Sequence, residues 1–255
     1  MGIINLTPDS FYPGSRFLDN NGNPDLGRVS SQIFCMLEQG ASIIDIGACS
    51  SRPGAIACAE SEEWRRLEPA IRLISTDFPE LLFSVDTSRS TIVERVYDIA
   101  GHFIVNDISA GEDDTSMLDT CGRLGLGYVA MHSRSDSWSM SRLEDYFRDF
   151  SCRAEDSGVK DWILDPGFGF GKTEVQNYEL LSKLFELKQF GRRILVGISR
   201  KSMVYKPLGL SPDNCLSETQ VLHFAALQSG ADILRVHDVA QARRTIRLWE
   251  LLNNR

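Results

Sequence analysis

Residues 42–47 read Ser-Ile-Ile-Asp-Ile-Gly, and after a loop rich in small and polar residues, residues 62–75 carry a helical pattern. The first segment is almost continuously apolar rather than alternating, as is typical of a parallel strand that is buried on both faces. The second has the spacing of an amphipathic helix. Together they predict one strand–loop–helix unit.

The same order of apolar run, polar or glycine-rich cluster and helix recurs along the chain. Predicted strands lie at 2–5, 42–47, 82–86, 103–107, 127–132, 162–165, 194–199 and 233–238. Helical patterns between them include 29–39, 62–75 and 178–190. Eight alternations in 255 residues predict an α/β fold, a single (β/α)8 TIM barrel that forms one domain over 1–255. A doubly wound sheet is the alternative.

Composition narrows the possible partners and compartment. The chain has 42% hydrophobic and 24% charged residues and a net charge of -8, which disfavours nucleic acid and anionic membranes. No apolar run approaches the ~20 residues that span a bilayer. Residues 1–10 lack signal-peptide character, and the six cysteines form no CxxC pair. We therefore predict a cytoplasmic protein.

Polar residues follow the apolar runs at their carboxyl ends. They are Asn5, Asp86, Asn106, Asp107, His132, Asp165, Ser199, Arg235 and His237. The carboxyl ends of barrel strands meet at one mouth. A single such residue could be a helix cap, but nine together predict a shared ligand site.

The charges in this set predict two kinds of ligand group. The acceptors are Asp86, Asn106 and Asp165. They would suit the N–H edge of a guanidine-like heterocycle, since buried carboxylates need donors. The cationic groups are Arg52, Lys201, Arg235 and His237. They would suit an anion, and the last two strands of a barrel commonly form a phosphate site. Simple Arg–Asp ion pairs are the alternative.

Two patterns look like known sites but fail on spacing. The segment 167–173 ends like a phosphate-binding P-loop, but position 166 is Pro where that loop needs Gly. It is better explained as a glycine-rich turn between strand and helix. The four histidines lack zinc spacing, and His102 and His223 are expected to be surface or core residues.

Eight segments in order resemble the signatures of the dihydropteroate synthase family. They are 2–11 (GIINLTPDSF), 44–47 (IDIG) with 51–55 (SRPGA), 84–87 (SVDT), 106–109 (NDIS), 131–132 (MH), 165–172 (DPGFGFGK), 199–202 (SRKS) and 235–238 (RVHD). The resemblance runs from residue 1 to about residue 240. It implies joining of a pterin diphosphate to 4-aminobenzoate, with these two small molecules as substrates.

The resemblance also implies residue roles. The pterin would be held by Asp86, Asn106, Asp165, Lys201 and Arg235, in a slot lined by Ile108, Met131, Phe170 and Gly197. The diphosphate would be bound by Asn5 through Mg²⁺ and by Ser51, Arg52, Arg235 and His237, with Ser199 beside them. The 4-aminobenzoate site would contain Phe11, Arg52, Pro53, Lys201 and Ser202. Ser202 is expected to begin a helix whose N-terminus attracts the carboxylate.

The catalytic residues implied are Asn5, Arg52, Lys201, Arg235 and His237, and Asn5 is the implied metal ligand. The resemblance further implies a homodimer through the late helices, although the apolar face at Val221, Phe224, Ala225 and Leu227 is equally consistent with barrel packing.

Three features depart from the family pattern. Residues 48–51 read Ala-Cys-Ser-Ser where the family usually has Gly-Glu-Ser-Thr, and Pro13 stands where an Asp is usual. The sequence also starts at the first strand without the usual N-terminal hairpin, which indicates a short variant or a trimmed chain. Two other functions remain open: a pterin-binding methyltransferase domain and a non-catalytic pterin-binding barrel.

Overall fold

The computed structural model describes residues 1–7, 17–19, 21–49, 58–134 and 138–254. Its strands are β1 (Gly2–Asn5), β2 (Ile44–Gly47), β3 (Phe83–Asp86), β4 (Ile104–Asp107), β5 (Gly127–Met131), β6 (Trp162–Asp165), β7 (Leu195–Val196) and β8 (Ile233–Leu234). All eight predicted strands are therefore present. The first and sixth match the predicted bounds, four others are one or two residues shorter, and the last two have only two residues each.

The strands close into a parallel barrel. Strands β1 to β6 pair in sequence order, and β7 pairs with β8. Isolated parallel bridges join Leu164 to Ile194 and Gly2 to Val236, which connect β6 to the β7 segment and β8 back to β1. The (β/α)8 barrel predicted from the sequence is thus confirmed, and the doubly wound alternative is wrong.

The helices follow the strands in alternation. They are α1 (Leu26–Glu38), α2 (Glu60–Asp77), α3 (Ser90–Ala100), α4 (Met117–Leu124), α5 (Met140–Asp156), α6 (Glu174–Ser182), α7 (Ser202–Tyr205), α8 (Leu216–Gln228) and α9 (Val239–Leu252). Among the described residues, none of these helices is long and apolar enough to cross a membrane.

The helix predicted at 178–190 is wrong in its bounds. The α-helix starts earlier, at Glu174, because Thr173 and Gln176 form a reciprocal capping box. It ends at Ser182, and a 3-10 helix covers Leu184–Phe190. Both pieces bury leucines at roughly helical spacing, so the apolar pattern of the sequence does not distinguish one long helix from two short ones.

The core explains which end of the barrel holds polar groups. Ile43, Ile104, Val129, Ile163 and Leu195 form a buried apolar cluster of their own. Four of them stand at or next to the amino ends of β2, β4, β6 and β7, and Val129 lies in the middle of β5, so the cluster fills the barrel below its mouth. At the carboxyl ends, Asp86, Asn106, Asp107 and Asp165 are buried instead.

Candidate active site

Arg235, directly after β8, carries the central cation of the mouth. Its Nη2 lies 2.5 Å from Oδ2 of Asp45 and 3.0 Å from Oδ2 of Asp86, and its Nε donates to Asp45 at 2.7 Å. Asp45 lies on β2 and Asp86 on β3, so one guanidinium joins three strands. The ion pairs expected as the alternative explanation of these charges do form here.

Asp45 is the most enclosed member of this group. Its side chain is fully buried, and its carboxylate also accepts from Ser84 Oγ at 2.5 Å and from Asn106 Nδ2 at 3.2 Å. Because the donor end of the Asn106 amide is directed at Asp45, the amide has one orientation, and its carbonyl oxygen faces away from that carboxylate. Asp45 thus positions both Arg235 and Asn106.

Asp86 has an unusual proton affinity. Burial raises its pKa to about 7, and the negative charges of Asp45, Glu63 and Asp107 add to the increase, while Arg235 opposes it. A carboxyl group with this pKa can change its protonation state near neutral pH. Burial thus opposes the charged form of Asp86, and the ion pair with Arg235 favours it.

A second charged pair consists of Asp165, at the end of β6, and Lys201, in the segment after β7. Burial raises the pKa of Asp165, whose Oδ1 accepts from Gly167 N at 2.8 Å. Loss of hydration lowers the pKa of Lys201 to about 8, although the charge of Asp165 acts against that decrease. The charges of Lys201 and Arg235 oppose this increase in the pKa of Asp165, so Arg235 interacts with Asp165 as well as with Asp45 and Asp86.

Lys201 is held at the edge of an aromatic surface. Its Nζ donates to the carbonyl oxygen of Phe168 at 2.6 Å and lies 4.6 Å from the ring centre of Phe170. A Cβ added to Gly197 would lie 3.9 Å from Arg235 Cβ and 4.0 Å from Lys201 Nζ. Gly197 therefore lies next to both Arg235 and Lys201, at ordinary van der Waals distance from each.

The glycine-rich turn after β6 is a structural loop. Gly167 has φ +72°, and a Cβ there would lie 1.9 Å from His132 O, so only glycine fits. Lys172 Nζ donates to the carbonyls of Gly167 at 2.9 Å and Phe170 at 3.1 Å. Lys172 thus binds the carbonyl oxygens of its own loop.

His237 and Ser199 form a hydrogen-bonded pair. The backbone N of His237 donates to Ser199 Oγ at 3.2 Å, and its ring Nδ1 lies 3.3 Å from the same oxygen. Burial, with Arg235 next, lowers the pKa of His237 to about 4, so the ring is neutral at pH 7. The Ser199 hydroxyl then donates its proton to Nδ1 of His237. The neutral ring carries its own proton on Nε2, which is left as a hydrogen-bond donor.

Arg200 and Ser202, in the motif after β7, have different surroundings. Arg200, at φ 56°, pairs with Asp238 through Nε at 2.8 Å and Nη2 at 2.9 Å, so its charge is already matched. Ser202 does begin a helix, but α7 has only four residues. Because one turn aligns few peptide dipoles, the expected helix-dipole attraction for a carboxylate is weak at this position.

Two of the nine strand-end residues hold local structure. Asp107 accepts from Ser109 N, Ser109 Oγ and Gly111 N, each at 2.8 Å, and from Tyr128 Oη at 2.6 Å. These bonds use both oxygens of Asp107, so it fixes the turn after β4 and does not cap a helix, since α4 begins only at Met117. His132 packs edge-on against Tyr146, with the ring centres 4.8 Å apart.

The other predicted residues are placed as follows. Asn5 ends β1 and pairs in register with Gly47, which itself packs against Asp86. Met131 is buried at the end of β5, and Ile108 is half-buried directly after β4. Phe11, Ser51, Arg52 and Pro53 lie outside the described residues. His102 is exposed and His223 is buried, as expected.

Sequence reasoning did not select Asp45 or Ser84 as site residues. Both are polar side chains inside otherwise apolar strands, and both are fully buried. A carboxylate in a buried run costs free energy unless donors surround it. That cost was the available signal, because it requires a cation or hydroxyl partner elsewhere in the fold.

A (β/α)8 barrel with polar and charged side chains at its mouth is typical of an enzyme, and comparison with known proteins gives the family. The family model for pterin binding enzymes matches residues 1–237, and the chain belongs to this family. The dihydropteroate synthase of Clostridium beijerinckii is 35% identical, over 100% of this chain and 94% of its own length.

Two solved structures are similar throughout. A Clostridium difficile dihydropteroate synthase, crystallised in the presence of pteroic acid, has TM-score 0.90 and 34% identity, covering 100% of this chain and 96% of its own. A Xanthomonas albilineans dihydropteroate synthase with 4-aminobenzoic acid has TM-score 0.88 and 32% identity, covering 99% and 92%. The resemblance found from the motifs is confirmed.

Proposed function

We propose that the protein is a dihydropteroate synthase. It joins 6-hydroxymethyl-7,8-dihydropterin diphosphate to 4-aminobenzoate and releases pyrophosphate. The observation that carries this proposal is one mouth with acceptors on β3, β4 and β6 and the cations Arg235 and Lys201 beside them. A pterin diphosphate has a donor-rich ring and an anionic tail, so it matches both sets.

The pterin would bind between the two clusters. The carboxylate of Asp165 and the amide of Asn106 would face the N–H edge of the ring, and Lys201 would face its carbonyl. Arg235, held by Asp45 and Asp86, would lie against the ring face. Ile108, Met131, Phe170 and Gly197 would line the slot.

The diphosphate and its metal would lie toward β1 and β8. Asn5 offers an amide oxygen, the type of ligand that Mg²⁺ accepts, and Mg²⁺ in enzymes often takes most of its ligands from phosphates and water. Bound there, the ion would neutralise negative charge on the diphosphate. The proposed anion site is completed by Ser51, Arg52, Ser199 and His237. The proposed 4-aminobenzoate site is completed by Phe11, Pro53 and Ser202.

The reaction breaks the bond between the exocyclic CH₂ carbon and the diphosphate oxygen. The neutral amine nitrogen of 4-aminobenzoate forms the new C–N bond and then loses one proton. Arg235 and the Nε2–H of His237 would stabilise the departing anion, since such contacts strengthen as charge develops. The amine is already unprotonated at pH 7, so the residues need only orient it.

One assay tests the function against both alternatives. Purified protein, pterin diphosphate and Mg²⁺ should release pyrophosphate only when 4-aminobenzoate is added, and mass spectrometry should detect dihydropteroate. A methyltransferase domain would bind the pterin without releasing pyrophosphate. A non-catalytic barrel would give neither product with any combination of substrates. Either result would refute the proposed function.

We further propose that one domain covers 1–255, that the protein acts in the cytoplasm and that it is a homodimer. Exposed apolar side chains support the dimer. Val221 on α8 is 67% exposed and Leu248 on α9 is 64% exposed, whereas Leu227 packs into the barrel. Late helices with unburied apolar groups favour a second copy as the partner.

A further inference from the structure

Two cysteines and a glutamate meet beyond the carboxyl end of β2. The Sγ atoms of Cys49 and Cys58 and a carboxylate oxygen of Glu63 all lie within 4.8 Å of one another. The backbone N of Cys58 donates to Cys49 Sγ at 3.2 Å. Both cysteines are half-buried, so the thiols are paired in space while remaining accessible to a small reagent.

Hydrogen bonds from Cys58 favour a thiolate at Cys49. The hydrogen bond from the Cys58 thiol lowers the pKa of Cys49 to about 6, and Arg89 contributes to the decrease. Glu63 opposes it, but Arg89 forms an ion pair with Glu63 that reduces this opposition. Arg66, whose Nη1 donates to Ala48 O at 3.1 Å, is itself paired with Glu62 at 2.7 Å, so Arg89 is the cation that bears on the pair.

We propose that Cys49 and Cys58 form a redox-active dithiol site, which a low-molecular-weight disulfide such as oxidised glutathione converts into an intramolecular disulfide. The two sulfurs lie close, one is activated, and the other is positioned to resolve the mixed intermediate.

The exchange proceeds in two balanced steps. The Cys49 thiolate attacks one sulfur of glutathione disulfide, forms a mixed disulfide and expels one glutathione thiolate. The Cys58 thiol then gives its proton to solvent and attacks Cys49 Sγ, which expels the second thiolate. Two protein thiols are oxidised to one disulfide, and one glutathione disulfide is reduced to two glutathione molecules.

A metal site on the same residues is disfavoured. A soft cation would use both thiolates and the Glu63 carboxylate. Glu63 already accepts from Thr87 Oγ1 at 2.6 Å and pairs with Arg89, which also donates to Cys58 O at 2.6 Å. A dication would have to displace or tolerate this guanidinium, which is bound to one of its three ligands, at a large electrostatic cost.

The first test is incubation of the full chain in glutathione redox buffers, followed by alkylation and peptide mass mapping. The expected product is a disulfide between residues 49 and 58, with Cys35 and Cys152 alkylated. Cys58→Ser should stop at one glutathione on Cys49, and Cys49→Ser should leave Cys58 unmodified. Stable glutathione adducts on both cysteines of the unaltered protein, or an oxidised pair elsewhere, would overturn the proposal.

A second test uses the rate of alkylation. At pH 5.5 Cys49 should react roughly 20 times faster than a free thiol of pKa about 8.5, but only about twice as fast at pH 7, because low-pKa thiolates are weaker nucleophiles. A selectivity that does not grow as the pH falls contradicts the activated thiolate. One tightly held Zn²⁺ per chain that Cys49→Ser removes, with no disulfide formed, would assign a metal site instead.

A consequence for catalysis rests on the proposed function. Ser51, Arg52 and Pro53 lie between the two cysteines in the chain, so the oxidised protein should show a KM for 4-aminobenzoate several times higher, restored by dithiothreitol. An unchanged KM after complete oxidation would refute this coupling. If the reduced protein has no synthase activity, the proposed function fails, while the mass mapping still decides the dithiol.

Discussion

The guanidinium of Arg235 lies 2.5 Å from the carboxylate of Asp45, although 190 residues separate them in the chain. Barrel closure brings them together, since β1 is bridged to the β8 segment on one side and paired with β2 on the other. The pair gives the proposed pterin site a fixed cation before any ligand binds.

Replacing Asp45 should therefore damage both stability and binding. Asp45→Asn keeps the shape but removes the charge that Arg235 faces, and breaking a buried pair costs ~3 kcal/mol. The pKa of Asp86 should fall, because the Asp45 charge is one of the causes that raise it. Denaturant unfolding and NMR titration measure the two effects. An Asp86 pKa that rises would show that the network is assigned incorrectly.

Asp165→Asn should weaken pterin binding without unfolding the protein. The amide can still accept from Gly167 N, but it loses one acceptor and the negative charge that the ring edge needs. Charged hydrogen bonds contribute ~1.5–3 kcal/mol, so affinity should fall at least about tenfold by calorimetry. Asp161→Asn, at an exposed ion pair with Arg193, is the matched control. Unchanged affinity in Asp165→Asn excludes the proposed role.

Arg235→Ala and His237→Ala should differ in kind. Loss of Arg235 leaves two buried carboxylates without their cation, so affinity, turnover and melting temperature should all decrease. Loss of His237 removes a neutral donor to the leaving group, so kcat should fall more than pterin affinity. His237→Gln, which retains an N–H donor, should recover part of the turnover. Equal kcat in His237→Ala and the parent at saturating substrate would refute the assignment.

Lys201 should set the alkaline limit of activity. Its pKa is about 8 in the free protein, so kcat/KM should fall as the pH rises through about 8. Its effect on stability has the opposite sign: between about 8 and the usual value of 10.5 the unfolded chain binds more protons, so stability rises with pH there. Lys201→Arg should move the activity limb above the measured range, whereas Lys206→Arg should not.

The proposed dimer can be tested on α8. Val221→Glu places a charge at a 67% exposed apolar position and should halve the mass measured by light scattering. Phe34→Glu makes a similar change at a 61% exposed position on α1 and should leave the mass unchanged. A monomeric parent protein would contradict the prediction directly.

The sequence by itself determined the eight strands and the end of the barrel where polar groups collect. Runs such as Trp162–Asp165 carry that information locally, because a strand buried on both faces must be apolar along its length and can turn polar only where it ends. The motif order likewise determined the family.

Tertiary structure decided which polar groups pair. Asp107 and Asp165 look equivalent in the sequence. In the structure, Asp107 accepts hydrogen bonds from the turn that follows it, whereas Asp165 interacts with the charge of Lys201. Arg200 and Lys201 are neighbours, yet only Arg200 meets Asp238. Hydrogen bonds and charges act over a few ångströms in space, and a local pattern holds no record of which distant residue will fill that space.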